Sequence, residues 1–222
     1  EQYKFDKANL FRALDKHDHK KLLAGKDAPE QIAAAGAVNL DDKAAGYFAD
    51  ATKHKVFGFS IKEEPDVPAQ ITDYFAAKDI KDTGSGVTCT IKRMRKAGAQ
   101  ALAETVYEQK IELSVPGTFN VYNALAATIL ISATCGIDER KIFEWWNSLK
   151  PVTGRMSIID EGQPFEVLID YAHTPSSFET IFAPLDKRVH GSGKRIITLF
   201  GSAGERDTKK RPEQGRIASK YS

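Results

Sequence analysis

Phe165-Glu166-Val167-Leu168-Ile169-Asp170-Tyr171-Ala172-His173-Thr174-Pro175 is the stretch whose reading decides the fold. Its first half, Phe165 to Ile169, is short and rich in β-branched and aromatic residues, which reads as a buried strand. The residues after it read as a strand-to-helix turn. Thr174 suits an N-cap and Pro175 suits the first helical position, where no N–H is needed. In open α/β sheets ligands gather beyond the carboxyl ends of strands. Asp170, His173 and Thr174 fall at such an end, with Arg155 a short distance upstream. These residue types suit an anionic nucleotide: arginine on phosphate, aspartate on ribose hydroxyls, helix N–H groups alongside. The competing reading is a structural Asp–Thr turn beside a surface arginine.

Working outward, Lys150-Pro151-Val152-Thr153-Gly154 breaks the helical pattern abruptly and marks the expected boundary between domains at residues 1–150 and 151–222. Beyond it, strands are expected near Ser157–Asp160, over Phe165–Ile169 and over Arg195–Phe200. A helix is expected from Thr174 to about Arg188, and another from Pro212. That β-α-β order predicts a parallel sheet. Gly191-Ser192-Gly193-Lys194 precedes a strand instead of following one, so it reads as a turn and not as a phosphate loop. Gly201-Ser202-Ala203-Gly204-Glu205-Arg206-Asp207 does follow a strand and precede a helix, so its N–H groups could cradle an anion; the alternative is a solvated charged loop.

Before the boundary, residues 1–16 predict an amphipathic helix with Tyr3, Leu10, Phe11 and Leu14 on one face. Lys7 falls inside that stripe, so it must snorkel, pair or lose its proton. His17 and His19 read as part of a solvated loop. Ala37 to Asp42 predicts a short strand entering a helix, with Asp41 or Asp42 a possible N-cap. Val56–Ile61 predicts a buried strand. Ile71–Ile80, Val87–Met94 and Glu104–Val115 predict an antiparallel three-stranded patch, with hairpin turns at Asp82–Gly86 and near Gly98. Its period-two pattern predicts one face in water. Thr118 is the expected cap of the next helix, which Gly136 ends. Asn120 and Asn123 share its first turn, where their amides could read an adenine edge or simply cap backbone groups. Asp138 caps a further helix containing Trp145 and Trp146, read as packing residues.

Composition narrows the classes. With 222 residues the chain can bury a full core. Net charge +2, from 32 basic against 30 acidic residues, gives no basis for nucleic-acid binding. Cys89 and Cys135 form no CxxC pair and read as reduced packing residues of a cytosolic protein. The longest apolar stretch, around Ala124 to Ala133, is too short to span a bilayer, and no signal peptide is visible. The chain begins at Glu1 without a methionine and stops at Ser222 in a helix-like run, which suggests a piece of a longer protein.

Gly154-Arg155-Met156, Asp170-Tyr171-Ala172-His173-Thr174-Pro175, Gly201 to Asp207 and Lys210-Arg211-Pro212 together resemble the Mur ligase family, in the family's order and at about its spacing. Gly117, Phe119, Asn120 and Asn123 resemble its Gly-x-Phe-Asn-x-x-Asn stretch. The branch most resembled adds a diamino acid to UDP-N-acetylmuramoyl-L-alanyl-D-glutamate, using ATP and Mg²⁺. The resemblance implies an α/β chain: the later part of a central ATPase domain, with a mixed sheet, joined to the first half of a Rossmann-like C-terminal domain. It implies that Lys7 is carbamylated and holds magnesium, and that Asn120 and Asn123 lie on the adenine side. It further implies that Arg155 holds phosphate, Asp170 ribose, His173 the phosphate side, and Arg206 a carboxylate of the incoming amino acid. Ala203-Gly204-Glu205-Arg206-Asp207 departs from the commoner loop and looks more like lysine-adding than diaminopimelate-adding members. No true phosphate loop is present, so this chain alone is expected to be inactive. The alternatives are a folylpolyglutamate synthetase-like ligase and a non-catalytic nucleotide-binding module.

Overall fold

The computed structural model describes residues 1–16, 34–98, 101–202, 204 and 207–222. His17 and His19 lie outside them. The chain divides into two compact units, Glu1–Pro151 and Val152–Ser222.

The first unit is built on five strands: β1 Ala35–Asn39, β2 Lys55–Ser60, β3 Asp73–Asp82, β4 Val87–Lys96 and β5 Ala103–Leu113. They lie side by side in chain order. β1, β2 and β3 pair in parallel, whereas β3, β4 and β5 pair antiparallel, giving the expected mixed sheet with its antiparallel patch. Five consecutive residues of β3, Asp73 to Ala77, are buried. Phe75 and Ala77 join one core with helix α3 (Phe119–Cys135) and helix α4 (Glu139–Trp145), through Val121, Leu125, Ile129 and Phe143. Tyr74 and Ala76 join the other with helix α2 (Ala45–Ala49), through Ala45 and Ala49. Water therefore reaches one face only farther out, where Glu104, Glu108, Lys110 and Glu112 line β5. The Asp82–Gly86 hairpin forms as expected, with Thr83 N–H donating to Gly86 O at 2.9 Å.

Burying β3 on both faces also buries Asp73. Arg93 donates to it at 2.7 Å and Arg95 at 3.0 Å, and Lys55 pairs with it at 2.8 Å. Arg93 is itself buried and lies over the Phe75 ring at 4.8 Å. Burial pushes the Asp73 carboxyl up, but these cations outweigh it and hold the group far below the usual carboxylate range.

Helix α1 (Gln2–Leu14) corrects an expectation. Of the expected face Tyr3, Leu10, Phe11 and Leu14, Phe11 packs and Leu14 is half-buried, but Tyr3 is 74% and Leu10 75% exposed, and Lys7 is exposed with them. The packed face is the one displaced by a single residue, a rotation of about 100°. There Lys4 lies over Tyr47, Ala8 is fully buried, Phe11 stacks on Phe48 at 5.7 Å, and Asp15 accepts from Thr52 at 2.6 Å. The large aromatic of α2 selected the smaller, better-fitting side of α1.

In the second unit, β6 (Ser157–Ile159) pairs antiparallel with β7 (Val167–Ile169). The buried strand expected over Phe165–Ile169 is thus shorter, and it is not buried: Phe165 and Ile169 are exposed, because β6 is its one paired neighbour among the described residues. Helix α5 (Pro175–Val189) follows, and α6 (Lys210–Tyr221) packs on it through Phe178, Phe182, Ile217 and Ala218. The expected strand Arg195–Phe200 and its parallel pairing are not formed. A cavity of about 950 Å³, lined by Leu168, Phe178, Phe182, Ile196 and Leu199 among others, lies between β7, α5 and that run. No ladder closes across such a gap, and Ile197 and Leu199 are left 79% and 99% exposed.

Asp73→Ala takes from the buried Arg93 its closest carboxylate, leaving Glu139 at 3.7 Å and Met94 O, and should cost about 3 kcal/mol, the low end for breaking a buried pair. Both tryptophans, Trp145 and Trp146, lie in the first unit, so urea unfolding followed by tryptophan fluorescence reads that unit by itself. An unshifted midpoint would contradict the pairing.

Candidate functional site

Two clusters are built, one in each unit. In the second, β7 ends at Ile169 and hands the chain to Asp170, whose carboxylate accepts from Met156 N–H at 2.9 Å and Ala172 N–H at 2.7 Å. Each oxygen keeps a free lone pair, so a hydroxyl donor can still be accepted. The Met156 bond fastens the Gly154–Met156 turn, with φ of +77° at Gly154 and +49° at Met156, beside the end of β7. That carries Arg155 over the Tyr171 ring at 4.6 Å, exposed and ready for an anion. His173 is exposed, with Nδ1 3.0 Å from Tyr171 O. A carbonyl only accepts, so that contact makes Nδ1 the protonated nitrogen, and Nε2 donates to an anion only when the ring is charged. Thr174 caps α5 with a full capping box shared with Ser177, and Pro175 follows it. Arg155, Asp170, His173 and Thr174 are thus brought together at one strand end. Arg206 lies outside the described residues.

In the first unit the cluster sits where the parallel strands end. Asp41, one residue beyond the Leu40 that follows β1, has its side chain 9% exposed. Its Oδ1 accepts from Ser60 Oγ at 2.9 Å and faces Lys62 Nζ at 3.6 Å. Its Oδ2 accepts from Ile61 N–H at 3.1 Å and from Tyr122 Oη–H at 2.7 Å. Asp41 is therefore no helix cap. Asp42 serves the turn before α2, accepting from Ala44 N–H at 2.8 Å.

Tyr122 stands between Asn120 and Asn123 on α3. Asn120 donates from its amide to Pro116 O at 2.7 Å, and Asn123 donates to Asn120 Oδ1 at 3.0 Å. The two asparagines are brought together, Asn120 half-buried and Asn123 exposed. Thr118 does occupy the N-cap position but makes no capping bond, because φ −57° and ψ −28° hold it in helical geometry, out of reach of the next N–H groups. Gly117, at φ +93°, makes the sharp entry; a Cβ there would come within 2.6 Å of the Phe119 ring. Of the two tryptophans, Trp146 is core and Trp145 is 43% exposed. Lys7 is exposed, its ammonium over the Tyr3 ring at 5.3 Å. Among the described residues no group of three or more His, Cys, Asp or Glu could hold a metal ion. No helix there is long and apolar enough to cross a membrane.

Tyr122, which ties α3 to Asp41, was not singled out in the sequence. Its signal was present: one tyrosine between two asparagines, in a helix otherwise small and apolar.

A model of the Mur ligase middle domain matches residues 1–131, and one described as Mur ligase, glutamate ligase domain matches residues 154–222. The chain belongs to the Mur ligase family. A UDP-N-acetylmuramyl-tripeptide synthetase of Treponema denticola is 47% identical over all of this Mur ligase chain, which covers 38% of that protein. The Treponema pallidum protein of the same name is 39% identical over the whole chain, with 41% of its own length covered. A UDP-N-acetylmuramoyl-L-alanyl-D-glutamate–2,6-diaminopimelate ligase of Caldanaerobacter subterraneus is 35% identical over 84% of this chain and 34% of its own. The Mur ligase chain therefore spans well under half the length of these relatives. Among solved structures, MurF from Acinetobacter baumannii matches with a TM-score of 0.50 at 19% identity, over 75% of this chain and 31% of that one, a likeness of fold alone.

Burial pushes the Asp41 carboxyl up, but its bonds from Tyr122, Ser60 and Ile61 N–H, with the Lys62 charge, outweigh that and hold it below its usual value. A depressed folded-state pKa means that the stabilisation is present above the unfolded carboxylate value of about 4 and is lost as pH falls through the folded one. Asp41→Asn should therefore flatten part of the acid limb of a stability-against-pH curve read by tryptophan fluorescence. An acid limb identical to that of the parent would contradict the network.

Proposed function

We propose that this chain is part of an ATP-dependent ligase that adds a diamino acid to UDP-N-acetylmuramoyl-L-alanyl-D-glutamate through an acyl phosphate, in making the peptidoglycan precursor. Residues 1–150 would be a partial central ATP-binding domain and 151–222 a partial C-terminal domain. The observation that carries the reading is the gathering of Arg155, Asp170 and His173 at the end of β7, within a member of this family. Relatives bearing both the tripeptide synthetase and the diaminopimelate ligase names support the substrate class. They do not divide lysine from diaminopimelate; the Ala203-Gly204-Glu205-Arg206-Asp207 loop favours lysine. Cys89 and Cys135, both free thiols, agree with a cytoplasmic setting.

The residues at β7 fit ATP. Asp170, with a lone pair spare on each oxygen, would accept from ribose hydroxyls, and the exposed guanidinium of Arg155 would meet phosphate oxygens. His173 as imidazolium would donate from Nε2 on the phosphate side. Asn123 has an unused amide oxygen and N–H with which to meet the adenine edge beside Asn120. Arg206 would hold the carboxylate of the incoming amino acid. Magnesium is a weaker fit. The exposed Lys7 lacks the burial that would favour the neutral amine needed for a carbamate, so its role as carbamylated ligand rests on the family resemblance.

In a full-length ligase carrying this segment, Asp170→Ala should raise KM for ATP about tenfold or more, as expected of a ground-state contact, and should also lower kcat because the Met156 bond that fastens the Arg155 turn is lost. Arg155→Ala should mainly lower kcat, since it meets charge that develops on phosphoryl transfer. ATP kinetics unchanged in both variants would return the cluster to a structural turn.

By the family resemblance, Lys7→Ala should cripple turnover in the same enzyme, and it should leave the unfolding midpoint unmoved because the side chain is exposed over the Tyr3 ring. Acetate should restore part of the activity by supplying the lost oxygen ligand. Near-normal turnover without any addition would remove Lys7 from the site.

A further inference from the structure

Helix α3 presents the Asn120–Asn123 pair and buries Val121, Ala124, Leu125, Thr128 and Ile129 on its other side. Polar bonds add direction to that packing. Three are on view: Gly117 N–H to Asp82 Oδ2 at 3.0 Å ahead of the first turn, Trp146 Nε1–H to Thr128 Oγ1 at 3.1 Å along the helix, and Tyr122 Oη–H to Asp41 Oδ2 at 2.7 Å. The first ties the helix to the end of β3, and the last ties it to the ends of β1 and β2. Asp41 is anchored there by the Ile61 N–H and Ser60 of β2's end and by Lys62. Tyr122 is also held edge-on against Phe59 of β2, with ring centroids 6.3 Å apart.

We propose that the Asp41–Tyr122 hydrogen bond is a positioning contact for the nucleotide: it locks the first turn of α3 to the carboxyl ends of β1 and β2, so that Asn120 and Asn123 face outward. The inference rests on the reading of that asparagine pair as the adenine side. The bond's polarity suits a fixed tether. Asp41 is held low and the Tyr122 phenol is pushed up, first by burial and then by its bond to Asp41, so at neutral pH a protonated phenol meets a carboxylate. Asp41 and Tyr122 leave no group over for the substrate; their action passes through the helix.

The test uses the full-length ligase. Tyr122→Phe removes one oxygen and keeps the ring against Phe59. It should raise KM for ATP roughly three- to tenfold, the range by which residues outside a site change binding through a packed network. The kcat and the KM for UDP-N-acetylmuramoyl-L-alanyl-D-glutamate should stay near the parent values. Asn123→Ala, measured alongside, should raise KM for ATP as well, and combining the two should add little, since both act through one contact. If Asn123→Ala raises KM while Tyr122→Phe does not, the positioning role is wrong and the adenine reading stands. If neither moves it, the adenine reading fails and takes this inference with it. A Tyr122→Phe enzyme that loses kcat and KM for both substrates together would show a merely structural role and overturn the proposal.

Discussion

A carboxylate placed just past the end of a strand, and made to accept backbone N–H groups of its neighbour, is the interaction on which both units depend. Asp41 follows β1 and takes the Ile61 N–H beyond β2; Asp170 follows β7 and takes the N–H groups of Met156 and Ala172. Each is short enough to reach back to the backbone, and each leaves a strand end where N–H groups would otherwise need water. The consequence in each unit is positional. In the first, the staple reaches α3 through Tyr122; in the second, it brings the Arg155 turn beside His173 and the capped start of α5. Chemistry-bearing side chains are carried by loops, and these loops are held by charge-assisted bonds that cost little to form at a half-buried edge.

The sheet supplies the rigid frame. β3 is parallel to β2 and antiparallel to β4, so it is the strand where the two halves of the mixed sheet join, and it is buried on both faces. Two-sided burial is tolerable for Phe75 and Tyr74 but not for a lone charge. Asp73 survives there only because Arg93, Arg95 and Lys55 converge on it.

What could be read in the sequence was what is decided locally. The strand before Asp170, the Thr174 cap with Pro175 behind it, the Asp82–Gly86 hairpin and the Asp138 cap each depend on neighbours within a few residues, and each is present. The features decided at a distance were missed. The buried face of α1 was set by Phe48 of another helix, and a stripe containing Tyr3 and Leu10 gave no warning that its neighbour one residue on would pack instead. Arg195–Phe200 has strand composition, but a strand also needs a ladder, and the space beside β7 is a cavity. Thr118 has a capping side chain and the wrong backbone angles for one. The bond between Asp41 and Tyr122 joins residues 81 apart, and neither residue type alone announces it.

The proposal that Asn120 and Asn123 read an adenine edge, from a helix that Tyr122 positions, separates the nucleotide site from a merely structural helix start. The most direct test compares ATP with ITP, which presents an oxygen where adenine has its amino group. In a full-length ligase carrying this segment, the ratio of kcat/KM for the two nucleotides should favour ATP. Asn123→Ala should bring that ratio close to one while leaving the kcat for ATP largely intact. A preference for ATP that is undiminished in Asn123→Ala and in Asn120→Ala would contradict the account.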